Sequence, residues 1–247
     1  MVKYLNAELF KVRHRVYLFG FLAVVLGGIS AMFMILKANA NPGTTAESIL
    51  WVLPLALSVG LYLVVAISDM VFSDQYKYNT LKNEVSYGLP RFRIYFGKLI
   101  ATAIMCVVLC AVILAYYFLL TVALFPQEGT MPEMLKMLGE MLLQALPLWL
   151  GGLGLYQALL FLVRGSTAAT VIYVLAVGAL DSVLKLLGML MPALEGTIQK
   201  ILTCLLQTNF AATGGGIDLP HAWLVGMAWL LIATLMGAVV FQKREIN

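Results

Sequence analysis

The residues that could carry catalysis in this chain are few and poorly spaced for it. The two histidines, His14 and His221, lie near opposite ends of the sequence, and neither belongs to an HExxH motif. Metalloprotease chemistry therefore lacks its closely spaced ligands. Gly97-Lys98 resembles the end of a phosphate-binding loop, but Phe92 stands where such loops place their first glycine. The chain has no nucleotide-hydrolysing loop of that type.

Two aspartates in apolar segments and the three cysteines have patterns that favour a structural role over a catalytic one. Asp69 and Asp181 fall near the ends of apolar segments, whereas proton-relay carboxylates usually lie at mid-depth in a membrane bundle. Asp181 is one helical turn from Lys185, which predicts an ion pair on one helix face, with a relay role as the alternative. The three cysteines form no CxxC or Cys/His pattern, so we expect them to pack and to bind no metal.

Long apolar segments dominate the rest of the sequence. The 247 residues are 62% hydrophobic and 11% charged, with a mean hydropathy of +0.94, which is outside the range of soluble domains. About 20 apolar residues suffice for a helix to cross a bilayer. We therefore predict one all-α integral membrane domain over residues 1–247, with six transmembrane helices at about 16–36, 49–71, 99–125, 141–163, 165–184 and 222–241.

The basic residues predict the orientation of these six spans. Twelve of the sixteen Lys and Arg residues fall in the two terminal segments and in the loops on the same side of the membrane. The positive-inside rule then places both termini in the cytoplasm. The net charge of +4 accordingly indicates contact with anionic lipids and not nucleic-acid binding. The twelve residues are Lys3, Lys11, Arg13, Arg15, Lys77, Lys82, Arg91, Arg93, Lys98, Arg164, Lys243 and Arg244.

Two segments outside the spans have distinct patterns. Residues 1–15 carry apolar side chains at spacings of three and four (Val2, Leu5, Leu9, Val12), which predicts an amphipathic helix in the inner headgroup plane. Residues 186–217 are apolar but interrupted, and they predict short re-entrant helices at the outer leaflet before the sixth span. A seventh crossing there would carry the basic C-terminus outside, against the charge rule.

The loop between the second and third spans, residues 72–98, has the most specific pattern. Tyr78, Leu81 and Val85 predict a short helix with one apolar side, followed by a turn and a basic, aromatic segment. Such a helix suits docking to a soluble partner, although an ordinary interfacial helix would share the pattern. The loop contains the motifs Thr80-Leu81-Lys82-Asn83, Ser86-Tyr87, Ile94-Tyr95 and Gly97-Lys98.

This loop resembles that of the ABC-2 family of bacterial ABC-exporter permeases, which reads like GTLKNLLSYPVSRxxIYxGK after an acidic residue. Here Asn79 replaces the usual glycine, and Asp74 replaces the usual glutamate. The resemblance implies that the chain pairs with a second permease, identical or related, and with two cytoplasmic ABC ATPase subunits. It also implies that ATP and Mg bind to those ATPases, while this chain holds no cofactor and performs no hydrolysis.

The resemblance further assigns roles to residues of the loop. An ATPase groove would receive the segment that contains Asp74, Tyr78, Thr80, Leu81, Lys82, Asn83 and Glu84. Arg91, Arg93 and Lys98 would anchor the following segment at the inner leaflet. Movement of the ATPases would then push on this segment and on the N-terminal helix, and the helix bundle would rock.

The function predicted from this resemblance is export of an amphipathic substrate. Small permeases with no large outer domain resemble exporters of bacteriocin or lantibiotic peptides, and drug or lipid export is the less favoured version. A different class of function is also open, namely a non-transporting membrane anchor or regulatory subunit of a signalling complex. An intramembrane enzyme is disfavoured, because the ligands and nucleophiles discussed above are missing.

Overall fold

The computed structural model describes residues 2–41, 43–77, 80–163, 165–191, 194–211 and 219–243. Within those ranges the chain is helical and contains no β-strand. The elements are α1 (Val2–Arg13), α2 (Val16–Ala38), α3 (Ala46–Leu50), α4 (Leu53–Lys77), α5 (Thr80–Ser86), α6 (Arg91–Leu124), α7 (Met131–Leu162), α8 (Ser166–Val174), a π-helical turn (Leu175–Ala179), α9 (Leu180–Leu190), α10 (Glu195–Thr203), α11 (Leu206–Ala211) and α12 (Leu219–Lys243).

Six helical stretches in this part of the chain are long and apolar enough to cross a membrane, which confirms the predicted all-α fold. They are Val16–Ala38, Ala46–Phe72, Arg91–Leu124, Met131–Leu162, Ser166–Leu190 and Leu219–Lys243.

Several of these helices begin or end beyond the predicted bounds. Helix α7 begins at Met131, and not near residue 141, because Thr130 and Glu133 form a capping box with the Thr130 N–H donating to Glu133 Oε2 at 3.0 Å. Helix α6 begins at Arg91, directly after Pro90, so the third span continues into the segment that we expected to be a loop. Polar end turns lengthen a helix without changing its apolar centre, which explains the differences.

The centre of the bundle is the pair α7 and α12. A Cβ atom on Gly226 would lie only 2.2 Å from the Pro147 carbonyl oxygen, so only glycine allows this approach. Small residues permit such contacts between membrane helices. In the most apolar 18 residues of α7, 61% of the residues are buried. The corresponding share is 17% for the Ser166–Leu190 stretch and 11% for α2. The protein therefore has a dense centre and two loosely covered spans.

The fifth span runs further than predicted. Helices α8 and α9, with the π turn between them, form one stretch to Leu190, and not to about residue 184. Two short helices, α10 and α11, then precede the last span, in agreement with the predicted re-entrant helices. Residues 212–218, where the last part of that prediction falls, lie outside the described ranges.

Two ends of the bundle can be distinguished. Helices α1 and α5, the start of α6 and the last turn of α12 lie together at what we call the basic end. Helices α3, α10 and α11 and the start of α7 lie at the opposite end. Arg164 and Arg244, which the charge count also placed at the basic end, are outside the described residues.

Candidate functional site

The N-terminal helix is packed onto the third span at the basic end. A Cβ atom on Gly97 of α6 would lie 2.5 Å from the Tyr4 ring of α1, so the absence of a side chain at position 97 makes room for that ring. Val12 is 1% exposed on the same face of α1. The amphipathic face predicted for residues 1–15 is therefore present, and it is occupied by protein.

Next to this contact, Lys98 lies between two carboxylates. Its Nζ is 3.5 Å from Glu8 Oε2 of α1 and 3.7 Å from Glu84 Oε1 of α5, and its side chain is fully buried. Glu8 also accepts a hydrogen bond from Lys11 Nζ at 2.8 Å. Two cations thus face two anions. Lys98 and Glu8 are enclosed, whereas the Lys11 side chain is 52% exposed, and the pairing offsets the high cost of burying a single charge.

A tyrosine closes the network from the side of α1. The Tyr4 hydroxyl donates a hydrogen bond of 2.9 Å to Glu84 Oε2. Burial raises the pKa of the Tyr4 phenol above its ordinary value, and the charges of Glu8 and Glu84 raise it further. The phenol therefore stays protonated and remains a donor. Helix α5 is consequently held to α1 as well as to α6.

Aromatic rings surround the ammonium group of this network. Lys98 Nζ lies 5.7 Å from the centre of the Tyr4 ring and 5.5 Å from that of Phe72, within the range of cation–π attraction. Because these rings exclude water, the ion pairs are screened less than pairs at the surface. The site therefore ties helices α1, α4, α5 and α6 to one another. We call Tyr4, Glu8, Glu84 and Lys98 the four-residue junction.

The three predicted lipid anchors occupy different environments. Lys98 belongs to the junction and is shielded from the surface. The Arg91 guanidinium donates to the carbonyl oxygens of Phe241 at 3.2 Å and Gln242 at 2.7 Å, at the C-terminal end of α12. A cation there satisfies carbonyls that the helix leaves open and favours its dipole. Of the three, Arg93 is the exposed one, as a headgroup contact requires.

Two of the predicted docking residues, Asn83 and Glu84, can be placed on α5, and they have different surroundings. Asn83 is exposed, whereas Glu84 points into the junction. For Asp74, Thr80, Leu81 and Lys82 the structure describes the helical backbone alone, and Tyr78 lies outside the described residues. The structure thus brings Glu84 together with Lys98, one from each of the two predicted groups.

Sequence reasoning missed Tyr4 and Glu8, which complete the junction. A signal was present, because Tyr4, Glu8 and Val12 follow one another at intervals of four and so share one helix face. A carboxylate in the middle of such a face needs a buried cation. The sequence alone did not show which lysine would meet it.

Comparison with protein families gives one match. Residues 4–178 match the model of a family described as ABC-2 family transporter protein. The match begins at Tyr4 and includes α5 and Lys98, so it contains every residue of the junction. No curated protein matches the chain.

Proposed function

The chain belongs to the ABC-2 family of transporter proteins, and from this premise we propose that it is the permease subunit of an ATP-driven exporter. Membership makes it a multi-pass membrane component that works with an ABC ATPase. The whole chain then acts as one permease domain, which contributes the path through the membrane while its partner hydrolyses ATP with Mg²⁺. The junction carries this proposal, because it links the helix expected to meet the ATPase to helices of the bundle.

We place the basic end of the bundle in the cytoplasm. Lys3, Arg13 and Arg93 are exposed at that end, where anionic lipid headgroups would attract them. This orientation puts both termini inside a bacterial plasma membrane and presents α5 to a cytoplasmic ATPase. It follows the positive-inside rule.

The proposed mechanism is displacement of helices through the junction. An ATPase that closes on ATP pushes α5, and the Glu84–Lys98 pair carries this push to α6. The Lys98–Glu8 pair and the Tyr4–Glu84 hydrogen bond make α1 move with it. Two ATPases and a second permease, either a copy of this chain or a related one, would complete the exporter.

An amphipathic cargo suits an apolar cavity that opens on one side of this bundle. A cavity of about 840 Å³ lies between α4, α6 and α7, and apolar side chains form almost all of its lining. The indole N–H of Trp149, in that lining, is already donated to the Leu57 carbonyl oxygen at 3.0 Å. The cavity therefore favours the apolar part of a cargo such as a bacteriocin-type peptide, a drug or a lipid.

One pair of matched substitutions tests the docking role of α5. Asn83→Arg places a bulky charge on the exposed face of α5, and Asn39→Arg makes the same change on an exposed position at the opposite end. We expect the first to reduce recovery of the ATPase with the tagged permease about tenfold or more, and the second to leave recovery unchanged. Equal recovery of the ATPase with both variants would contradict docking through α5.

Transport itself requires a second measurement. Inverted membrane vesicles that contain the permease and its ATPase should accumulate a fluorescent amphipathic peptide only when ATP is supplied. A permease that binds the ATPase but gives no ATP-dependent accumulation of peptide, drug or lipid probes would instead favour the anchor or regulatory role.

A further inference from the structure

A buried carboxylate at the opposite end of the bundle joins α9 to α11. Of these two helices, α11 packs against the centre of the bundle and α9 is largely exposed. Asp181 of α9 is 5% exposed. Its Oδ2 accepts a hydrogen bond of 2.8 Å from Lys185 Nζ, one turn along the same helix. Its Oδ1 accepts a hydrogen bond from the Thr208 hydroxyl, which belongs to α11. The predicted Asp181–Lys185 pair is therefore present, and Thr208 adds a link between helices.

Helix α11 is the firmly held side of this link. Leu206 and Phe210 are buried, and the Phe210 ring stacks on Trp149 of α7 with 6.3 Å between ring centres. The Trp229 indole of α12 donates to the Cys204 carbonyl oxygen at 2.8 Å, just before α11 begins. Thr208 thus belongs to a helix that packs against α7 and α12, the dense centre of the bundle.

Helix α9 is the loosely held side. Its membrane-facing residues are exposed, including Val183 at 51%, Leu186 at 56% and Met189 at 81%. Its contact with α10 is a small apolar cluster in which Leu184 packs against Ile198 and Leu202. Such a small cluster contributes limited stability compared with the centre of the protein.

The helix of the fifth span also contains a break in its α-helical hydrogen-bond pattern. The π-helical turn Leu175–Ala179 ends two residues before Asp181. A Cβ atom on Gly178 would lie 2.6 Å from the Tyr62 hydroxyl, so α4 packs closely on this turn. π-Helical turns are uncommon inside α-helices and are found frequently at functional sites.

We propose that Asp181 and Thr208 form a latch that closes α9 against α10 and α11, and that its release lets α9 swing about the π turn to open this end of the bundle for cargo. The Asp181 carboxylate thus accepts one hydrogen bond from its own helix, from Lys185, and one from α11, from Thr208. A single bond of this kind is strong enough to hold the closed arrangement and weak enough to break during each cycle. The latch rests on the proposed export function, to which it adds a gate at the end of the bundle where the cargo would leave.

Accessibility of a thiol under the latch tests this proposal. Ile198→Cys, in a chain that also carries Cys106→Ser, Cys110→Ser and Cys204→Ser, places a single thiol in the cluster that α9 covers, since Ile198 is 8% exposed. The purified complex with its ATPase is treated in mild detergent with a water-soluble maleimide. We expect slow labelling at rest and faster labelling during ATP hydrolysis, by about tenfold or more.

Threonine variants separate the latch from general loosening. Thr208→Val removes the donor at nearly constant volume and should raise labelling about tenfold without ATP. Thr203→Val is the matched control, because the Thr203 hydroxyl donates only to the Lys200 carbonyl oxygen of its own helix, at 2.8 Å. Asp181→Asn keeps an acceptor without charge and should give an intermediate rate, which remains informative if Thr208→Val folds poorly.

The outcomes distinguish the latch from the exporter proposal. Equal labelling of the Thr208→Val and Thr203→Val proteins would overturn the latch, and so would ATP hydrolysis that leaves the introduced thiol closed. If no ATPase joined the chain, the proposed function would fail, whereas a labelling difference between the two threonine variants would still support the latch.

Discussion

The two ends of this bundle hold their short helices by different interactions. At the basic end, buried charges on α1, α5 and α6 form the four-residue junction, and α1 and α5 cannot separate without exposing unpaired ions. At the opposite end, α10 and α11 are held by neutral groups, including the Trp229 indole and the Asn209 amide, which donates to the Thr203 carbonyl oxygen at 2.8 Å. The buried charges at the first end suit transmission of force, whereas at the second end these neutral bonds hold α10 and α11 in place and leave α9, joined through the Asp181–Thr208 bond, as the helix that we propose is released.

The largest effect should follow loss of the central cation. Lys98→Met leaves Glu8 and Glu84 buried without their shared partner, and breaking a buried pair in this way costs about 3–5 kcal/mol. We expect a large fall in the thermal unfolding temperature in detergent, together with loss of ATPase recovery. An unchanged unfolding temperature would show that Lys98 is not enclosed as described.

A version of the junction without charges distinguishes its contribution to protein stability from its role in coupling ATP hydrolysis to transport. Lys98→Met combined with Glu8→Gln and Glu84→Gln removes all three charges at similar volume, and buried pairs replaced in this way often cost little stability. The combined variant should regain most of the unfolding temperature lost in Lys98→Met. ATP-dependent peptide accumulation should stay low, and full recovery of transport would contradict a role for the ion pairs in coupling.

A smaller effect is expected from the tyrosine of the junction. Tyr4→Phe keeps the ring against Gly97 and removes only the hydrogen bond to Glu84, a bond to a charged group worth about 1.5–3 kcal/mol. Protection of α1 backbone amides from hydrogen exchange should fall, because α1 loses a link to α5. Exchange that changes at α12 and not at α1 would contradict this assignment.

At the opposite end, loss of a neutral donor should have a weaker and more local effect. Trp229→Phe removes the N–H that satisfies the Cys204 carbonyl oxygen, at a cost of about 1 kcal/mol. We expect faster hydrogen exchange in α10 and α11 with little change in α1. A loss of stability as large as that of Lys98→Met would remove the contrast between the two ends.

The smallest effect is expected from an ion pair on the surface. Lys136 Nζ lies 4.0 Å from Glu140 Oε1, and both side chains are exposed, at 77% and 64%. Solvent screens such pairs, so Lys136→Met should leave the unfolding temperature unchanged. A clear decrease would mean that exposed charges contribute to this protein in a way that burial does not explain.

Sequence reasoning was strongest for features that depend on local composition. Apolar length predicted six spans, and the spacing of four between Asp181 and Lys185 predicted their pair, because neighbours on one helix meet without any tertiary information. It was weaker for helix ends, as the start of α6 at Arg91, inside the predicted loop, shows. It also assigned Glu84 and Lys98 to separate roles, although the two side chains face each other.

By itself, therefore, the sequence determined that this protein is a helical membrane bundle with one basic end and an ABC-2-like loop, since apolar length, charge and motif are read along the chain. Only the tertiary structure decided which charges meet. Glu8, Glu84 and Lys98 are far apart in sequence, and their contact depends on how α1 and α5 pack against α6. The Asp181–Thr208 link likewise required α11 to fold back onto α9. Long-range pairing of buried polar groups follows from packing, which no local pattern encodes.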